Sequence, residues 1–223
     1  MDWNLRGLSV TIPHKTTVAA LLDELDPIAR GCGAVNTLAV LGGRLIGRNT
    51  DVDGVMDPLE RACAIGDESF GIIGAGGAAR ATAYGLRTRG ARVRIFARDP
   101  ELARDWAARL SVSVEPLRVL GASDVSVVVN ATPVGMAGRL DQGTSPIPGS
   151  WLRGRRLAYD LVYNPVETQF LSDARAEGCG TITGIEMLVA QAVRQFEMWT
   201  GREGPVDLMR AAALETVTRG GAR

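Results

Sequence analysis

The chain has 223 residues, enough to bury a real core and to hold one domain and part of another. Its formal charge is zero, so no electrostatic footprint for nucleic acid exists, and no apolar run approaches the roughly 20 residues a membrane span needs. No signal peptide opens it, and Cys32, Cys63 and Cys179 are scattered, indicating neither a disulfide framework nor a zinc site but buried thiols in a reducing cytoplasm.

In chain order, residues 7–15, GLSVTIPHK, begin as an alternating strand (Leu8, Val10, Ile12) closed by Pro13. A helix is expected from about Thr16, with Val18, Leu21, Leu22 and Leu25 on one stripe. Lys15 would then sit where strand gives way to helix, and the positive end of that helix's dipole opposes a second positive charge. This suits a proton-transfer group; a plain surface lysine is the alternative. Lys15 is also the only lysine among 25 basic residues, the rest being arginine, and His14 is the only histidine. Lysine, unlike arginine, can give up its proton in a protein.

Residues 34–48 read as a hairpin turning at Gly42-Gly43. The next stretch, Asn49 to Glu60, nearly matches an EF-hand calcium loop through Asn49, Asp51, Asp53, Gly54 and Glu60. A preceding hairpin rather than a helix, and Pro58 within the loop, argue against calcium. A helix capped by Thr50 or Asp51 and running through Ala64 is the stronger reading.

Phe70 to Asp99 reads as strand, glycine turn, helix, strand. Phe70, Ile72 and Ile73 suit a buried parallel strand, and Val93, Ile95 and Phe96 the next one. Between them Gly74, Ala75, Gly76, Gly77, Ala78 and Ala79 give a G-x-G-x-x-A turn, where Gly74 allows the tight bend and Gly76 a close approach of pyrophosphate. The phosphates would rest on free N–H groups at the helix start. At the end of the second strand, Arg98 points to the 2′-phosphate of NADP and Asp99 to the ribose of NAD. Arg98 is nearer the strand, which favours NADP; NAD stays open.

Residues 101–110 read as a helix with Leu102, Trp106 and Leu110 on its inner stripe, and 125–129 as a strand ending at Asn130 and the loop 131–136. That loop belongs at the carboxyl edge of the sheet, where ligands bind. Residues 137–149 read as a surface loop, 157–162 as a strand, and 185–200 as a helix stopped by Gly201. Leu188, Gln191, Ala192, Gln195 and Trp199 share one face of that helix. Gln191 either satisfies itself in the core or points at a polar ligand.

Seven motifs in order, GLSVTIPHK, GAVNTL, GRNTDVDG, GAGGAARA, VVNATPVGM, YDLVYNP and GIEMLVAQAVRQFEMWTG, resemble the shikimate dehydrogenase family from residue 7 to about 201. The resemblance implies an α/β protein: a Rossmann-type NADP-binding domain (56–184), an incomplete α/β substrate domain (1–55), and C-terminal helices (185–223) returning to the latter. It implies NADPH-dependent reduction of 3-dehydroshikimate to shikimate, on the route to chorismate and the aromatic amino acids, without a metal. Lys15 and Asp51 fall on the catalytic pair, and Ser9, Thr11, Asn36, Tyr163 and Gln191 on substrate contacts. Gly74–Ala79 and Arg98 fall on the cofactor site, with Thr132, Pro133, Leu161, Gly184 and Met187 on its nicotinamide side.

There are departures from the family pattern. Ser9 stands where many members have asparagine, Ala97 replaces an asparagine before the cofactor arginine, and Leu102 replaces a second basic residue. The family's first βαβ unit, whose Ser-x-Ser motif grips the substrate carboxylate, is expected to be missing, leaving a sheet edge and apolar surface open. The alternatives are a quinate or aminoshikimate dehydrogenase using NAD, or a nucleotide-binding protein with little activity. The expected setting is cytoplasmic, as monomer or homodimer.

Overall fold

The computed structural model describes residues 5–220. In chain order the elements are β1 (Gly7–Ser9), β2 (Glu24–Leu25), α1 (Pro27–Cys32), β3 (Thr37–Leu41), β4 (Arg44–Arg48), α2 (Asp51–Ala62), β5 (Ser69–Ile73), α3 (Gly77–Thr88), β6 (Arg92–Ala97), α4 (Glu101–Arg109), β7 (Ser113–Pro116), β8 (Val127–Asn130), β9 (Leu157–Asp160), α5 (Gln169–Ala176), β10 (Gly180–Ile182), α6 (Gly184–Thr200) and α7 (Val206–Gly220).

They build two sheets. The larger is wholly parallel, in the order β10-β9-β8-β5-β6-β7, the doubly wound arrangement of a Rossmann-type fold. Its central strands are apolar on both faces because both are covered. Phe70, Ile72, Val127 and Val129 pack towards α2, α3 and α4, while Ile73, Val128 and Ala158 pack towards α5. From β5 the chain winds to β6 on one side and later to β8 on the other. The crevice between the ends of β5 and β8 is therefore the switch point where such sheets take ligands.

The smaller sheet, β1-β3-β4-β2, is mixed, with the β3–β4 hairpin closed by Gly42 and Gly43, both at positive φ. Its core of Ala29, Val35 and Leu38 is completed by Val10, Val18, Leu22 and Leu25. Among the described residues β1 is an edge strand of this sheet, and Leu8, Ile12, Leu41 and Leu45 are exposed. α2 and α6 lie against each other at close range: a Cβ on Gly54 would stand 3.0 Å from Gln191 Cβ and 3.1 Å from the Met187 carbonyl.

Three expectations are corrected. No α-helix forms from Thr16: residues 14–16 and 18–21 make two 3₁₀ turns with i→i+3 bonds, and the chain then extends. β-Branched Thr16, Thr17 and Val18 favour helix weakly, and pairing with β4 claims the end of the segment, through Asp23 N–H to Leu45 O and Asp26 N–H to Gly47 O. Leu21, placed on the inner stripe, is exposed. Leu102 is likewise exposed, since α4 turns Ala103, Trp106 and Ala107 inward. Thr50 does occupy the N-cap position of α2, but its hydroxyl caps nothing; Asn49 Oδ1 instead accepts from Val52 N–H at 3.3 Å.

Candidate active site

Lys15 is held by its backbone. Its carbonyl accepts from Val35 N–H at 2.7 Å, tying the turn after β1 to the start of the hairpin. The helix dipole invoked for it does not act, because no helix begins there. Its side chain lies against the start of α3, where a Cβ on Gly77 would meet Lys15 Cβ at 3.1 Å. Asp51 opens α2, and its Oδ2 accepts from Lys15 Nζ at 2.7 Å. The aspartate is buried and the lysine largely so, which protects the pair from solvent screening.

Around this pair runs a chain of hydrogen bonds whose direction is fixed. Thr50 N–H donates to Asn36 Oδ1 at 2.7 Å, so the Asn36 amide nitrogen must face Asp51, donating to Oδ1 at 2.9 Å. Both carboxylate oxygens are thereby held. Asn36 Nδ2 also lies 3.4 Å from Gln191 Oε1, bringing α6 to the site. Gln195, one turn further along, donates to Thr37 Oγ1 at 2.8 Å and accepts from Ser9 Oγ at 2.7 Å.

Lys15, Asp51, Asn36 and Gln191 thus meet directly, and Ser9 joins them through Gln195. Thr11 and Tyr163 are exposed and make no side-chain hydrogen bond to this cluster. Sequence reasoning assigned no site role to Gln195 or Thr37, and gave Thr50 only that of a helix cap. Gln195 carried a signal, a second amide four residues after Gln191 on the same helix face.

The cofactor side lies across the switch point. Gly74 has φ +123°, and a Cβ there would stand 3.1 Å from the Ala131 carbonyl and from Thr132 Cγ2. Only glycine fits between the turn and the loop after β8. A Cβ at Gly76 would meet nothing within 4 Å, so the space in front of the α3 N-terminus is clear for a phosphate. No side chain caps α3. Arg98 is exposed and, among the described residues, makes no hydrogen bond or ion pair, whereas Asp99 Oδ1 accepts from Glu101 N–H at 3.1 Å. Those features suit a dinucleotide bearing a 2′-phosphate. Thr132 and Pro133 follow β8, Leu161 follows β9, and Gly184 and Met187 begin α6. A Cβ on Gly184 would strike the Val162 carbonyl at 2.3 Å.

A glycine turn at the switch point of a parallel sheet, facing a lysine–aspartate pair, defines the class as a dehydrogenase on a Rossmann-type fold. Sequence relatives narrow it. "Shikimate dehydrogenase (NADP(+))" of Chlorobaculum tepidum is 44% identical over 96% of this chain and 78% of its own length, and that of Moorella thermoacetica 42% identical over 95% and 75%. The chain belongs to the shikimate dehydrogenase family. Residues 1–38 match the shikimate dehydrogenase substrate binding domain and 184–214 the shikimate 5′-dehydrogenase C-terminal domain. Residues 69–148 match a family described as NADP oxidoreductase, coenzyme F420-dependent. Among solved structures, the shikimate 5-dehydrogenase of Thermus thermophilus in complex with NADP(H) and shikimate is similar with a TM-score of 0.86. It is 36% identical, over 95% of this chain and 79% of that one. Quinate dehydrogenase of Corynebacterium glutamicum in complex with NAD has a TM-score of 0.84 at 34% identity, over 95% and 78%.

Proposed function

We propose that the chain is an NADPH-dependent shikimate dehydrogenase, reversibly reducing 3-dehydroshikimate to shikimate. The observation that carries this reading is the 2.7 Å Lys15–Asp51 contact set against the first turn of α3. NADPH, when bound, supplies the hydride for the C3 carbonyl. Lys15, as an ammonium, gives a proton to the carbonyl oxygen as negative charge builds there, so that ketone, hydride and proton close to an alcohol. Asp51 Oδ2 aims Nζ, and the Asn36 amide stops the carboxylate from rotating. Each Asp51 oxygen keeps a lone pair for a neighbouring substrate hydroxyl. Ser9, Thr11, Asn36, Tyr163 and Gln191 contact the substrate.

Gly74, Ala75, Gly76, Gly77, Ala78 and Ala79 cradle the pyrophosphate, and Arg98 takes the 2′-phosphate. Thr132, Pro133, Leu161, Gly184 and Met187 line the nicotinamide. The smaller sheet and the C-terminal helices form the substrate side (1–55 and 185–223), and 56–184 the NADP side. Three free, buried cysteines fit a cytoplasmic setting, as monomer or homodimer.

The test is Lys15→Ala, assayed with NADPH and 3-dehydroshikimate. An acid–base group of this kind contributes about 10²–10⁴ in rate; a loss below roughly tenfold would remove Lys15 from the mechanism. Parallel rates with quinate and NAD separate this reading from a quinate dehydrogenase.

A further inference from the structure

Asp160, the last residue of β9, is wholly buried and pairs with no cation among the described residues. Its Oδ1 accepts from Asn130 Nδ2 at 2.9 Å and from Val162 N–H at 3.0 Å, and its Oδ2 from Thr168 Oγ1 at 2.6 Å. Each partner belongs to a different segment. Asn130 ends β8, and its Oδ1 accepts from both Thr132 N–H (3.0 Å) and Thr132 Oγ1 (2.7 Å). Thr132 Oγ1 in turn lies 3.3 Å from Val134 N–H. Val162 lies in the turn carrying Leu161 and Tyr163. Thr168 caps α5, accepting from Leu171 N–H at 3.3 Å. The Ala137 N–H to Asn164 carbonyl bond, 2.7 Å, joins the two loops further out.

The directions here are forced. Two donors from Thr132 fix the Asn130 carbonyl oxygen, so its amide nitrogen must find an acceptor at Asp160. Val162 N–H needs another, and Thr168, already accepting from Leu171, has a proton to give. The ionised carboxylate accepts all three with no proton left over, two bonds on Oδ1 and one on Oδ2, whereas a proton on Oδ2 adds a donor beside Thr168. The loop so fixed reaches the glycine turn, because the methyl of Thr132 fills the space beside Gly74.

We propose that Asp160 is a positioning residue for the cofactor, its carboxylate locking the loops after β8 and β9 into the wall that holds the nicotinamide. This rests on the dehydrogenase reading above. Asp160 touches neither cofactor nor substrate; it acts through Thr132 and Leu161. Burial pushes its carboxyl up to about 6 against the pull of the Thr168, Val162 and Asn130 bonds, and no charged side chain bears on it. The charged neighbours in sequence are engaged elsewhere, Arg156 with Glu68 and Glu167 with Arg175. Below that range a proton on Oδ2 turns an acceptor into a donor facing Thr168, so the bond that ties β9 to the cap of α5 must reverse and the loops shift, while burial makes the fold as a whole more stable with the neutral acid.

The experiment is NADPH titration of the full chain, followed by fluorescence between pH 5 and 8, for wild type, Asp160→Ala and Asp160→Asn, with separate KM values for NADPH and shikimate. Asp160→Asn keeps one acceptor for Asn130 and Val162, so it serves if the alanine variant does not fold. We expect Asp160→Ala to weaken NADPH about tenfold or more, tenfold being ~1.4 kcal/mol, with the shikimate KM changed less than about twofold. Wild-type affinity should fall as pH drops through 6, and Asp160→Asn should lose that dependence. NADPH affinity unchanged in Asp160→Asn, with the wild-type pH profile retained, overturns the proposal, as does an equal loss for shikimate. A wild-type chain that binds no NADPH overturns the dehydrogenase reading and this proposal with it.

Discussion

Arg98 and Asp99 show how neighbouring residues with opposed meanings are separated by their local bonds. Asp99 is engaged at the start of α4, while Arg98, just past the end of β6, is exposed and has no partner among the described residues. Hydrogen bonds to a charged group contribute about 1.5–3 kcal/mol. Arg98→Ala should therefore cut the preference for NADPH over NADH by roughly ten- to hundredfold. Parallel kcat/KM measurements with the two cofactors check it, and an unchanged ratio would free Arg98 of the role. Asp160 carries a second expectation, on stability. Its carboxyl titrates near 6 in the fold against an ordinary 3.8, so between those values the native state holds more protons than the unfolded chain. Its contribution is thus fully present below pH 3.8 and is lost as pH rises through 6, to the extent of about 3 kcal/mol. Urea unfolding at pH 4 and pH 7 should show that slope in wild type and a flatter one in Asp160→Asn.

At the level of elements, the α2–α6 contact sets the site, because Asp51 opens one helix and Gln191 lies on the other. Gly54 and Gly85 make a controlled comparison, since alanine raises helix propensity equally at both, by roughly 1 kcal/mol. A Cβ at Gly85 meets only side-chain atoms of buried Met56, which relieve the contact by a rotamer change; at Gly54 it meets the Met187 carbonyl and Gln191 Cβ, which have no such recourse. Gly54→Ala should be less stable than Gly85→Ala by about 1–3 kcal/mol, the usual cost of overpacking. It should also raise the shikimate KM by displacing Gln191. Equal stabilities would show that the helices part without cost. The segment 14–25 teaches the converse lesson about elements. Its apolar spacing suits a helix, yet Val18, Leu22 and Leu25 reach the small core from 3₁₀ turns and an extended end. Spacing records which side chains are buried, and here the pairing of β2 with β4 chose the backbone that buries them.

Across the whole molecule, the two sheets meet at the amine and the glycine turn, so a ligand between them acts on both. NADPH at about a hundred times its dissociation constant should stabilise the chain by ~2.7 kcal/mol. For a chain of this size that raises Tm by roughly 5–10 °C. NADH at the same concentration should raise it less, which a melt with each cofactor checks. The parallel sheet, the hairpin and the glycine turn were legible from the residues, and the pairing of Lys15 with Asp51 from the family resemblance. Unbroken apolar strands, Gly42-Gly43 and G-x-G-x-x-A are local patterns with local causes, and the ordered motifs carried the pair. Tertiary structure alone decided which amides and hydroxyls hold that pair in place, that Asp99 is occupied while Arg98 has no partner among the described residues, and that one buried carboxylate joins the loops after β8 and β9. A hydrogen bond between residues far apart in sequence leaves no period in the chain, and its direction is set only when every neighbouring donor has been given an acceptor.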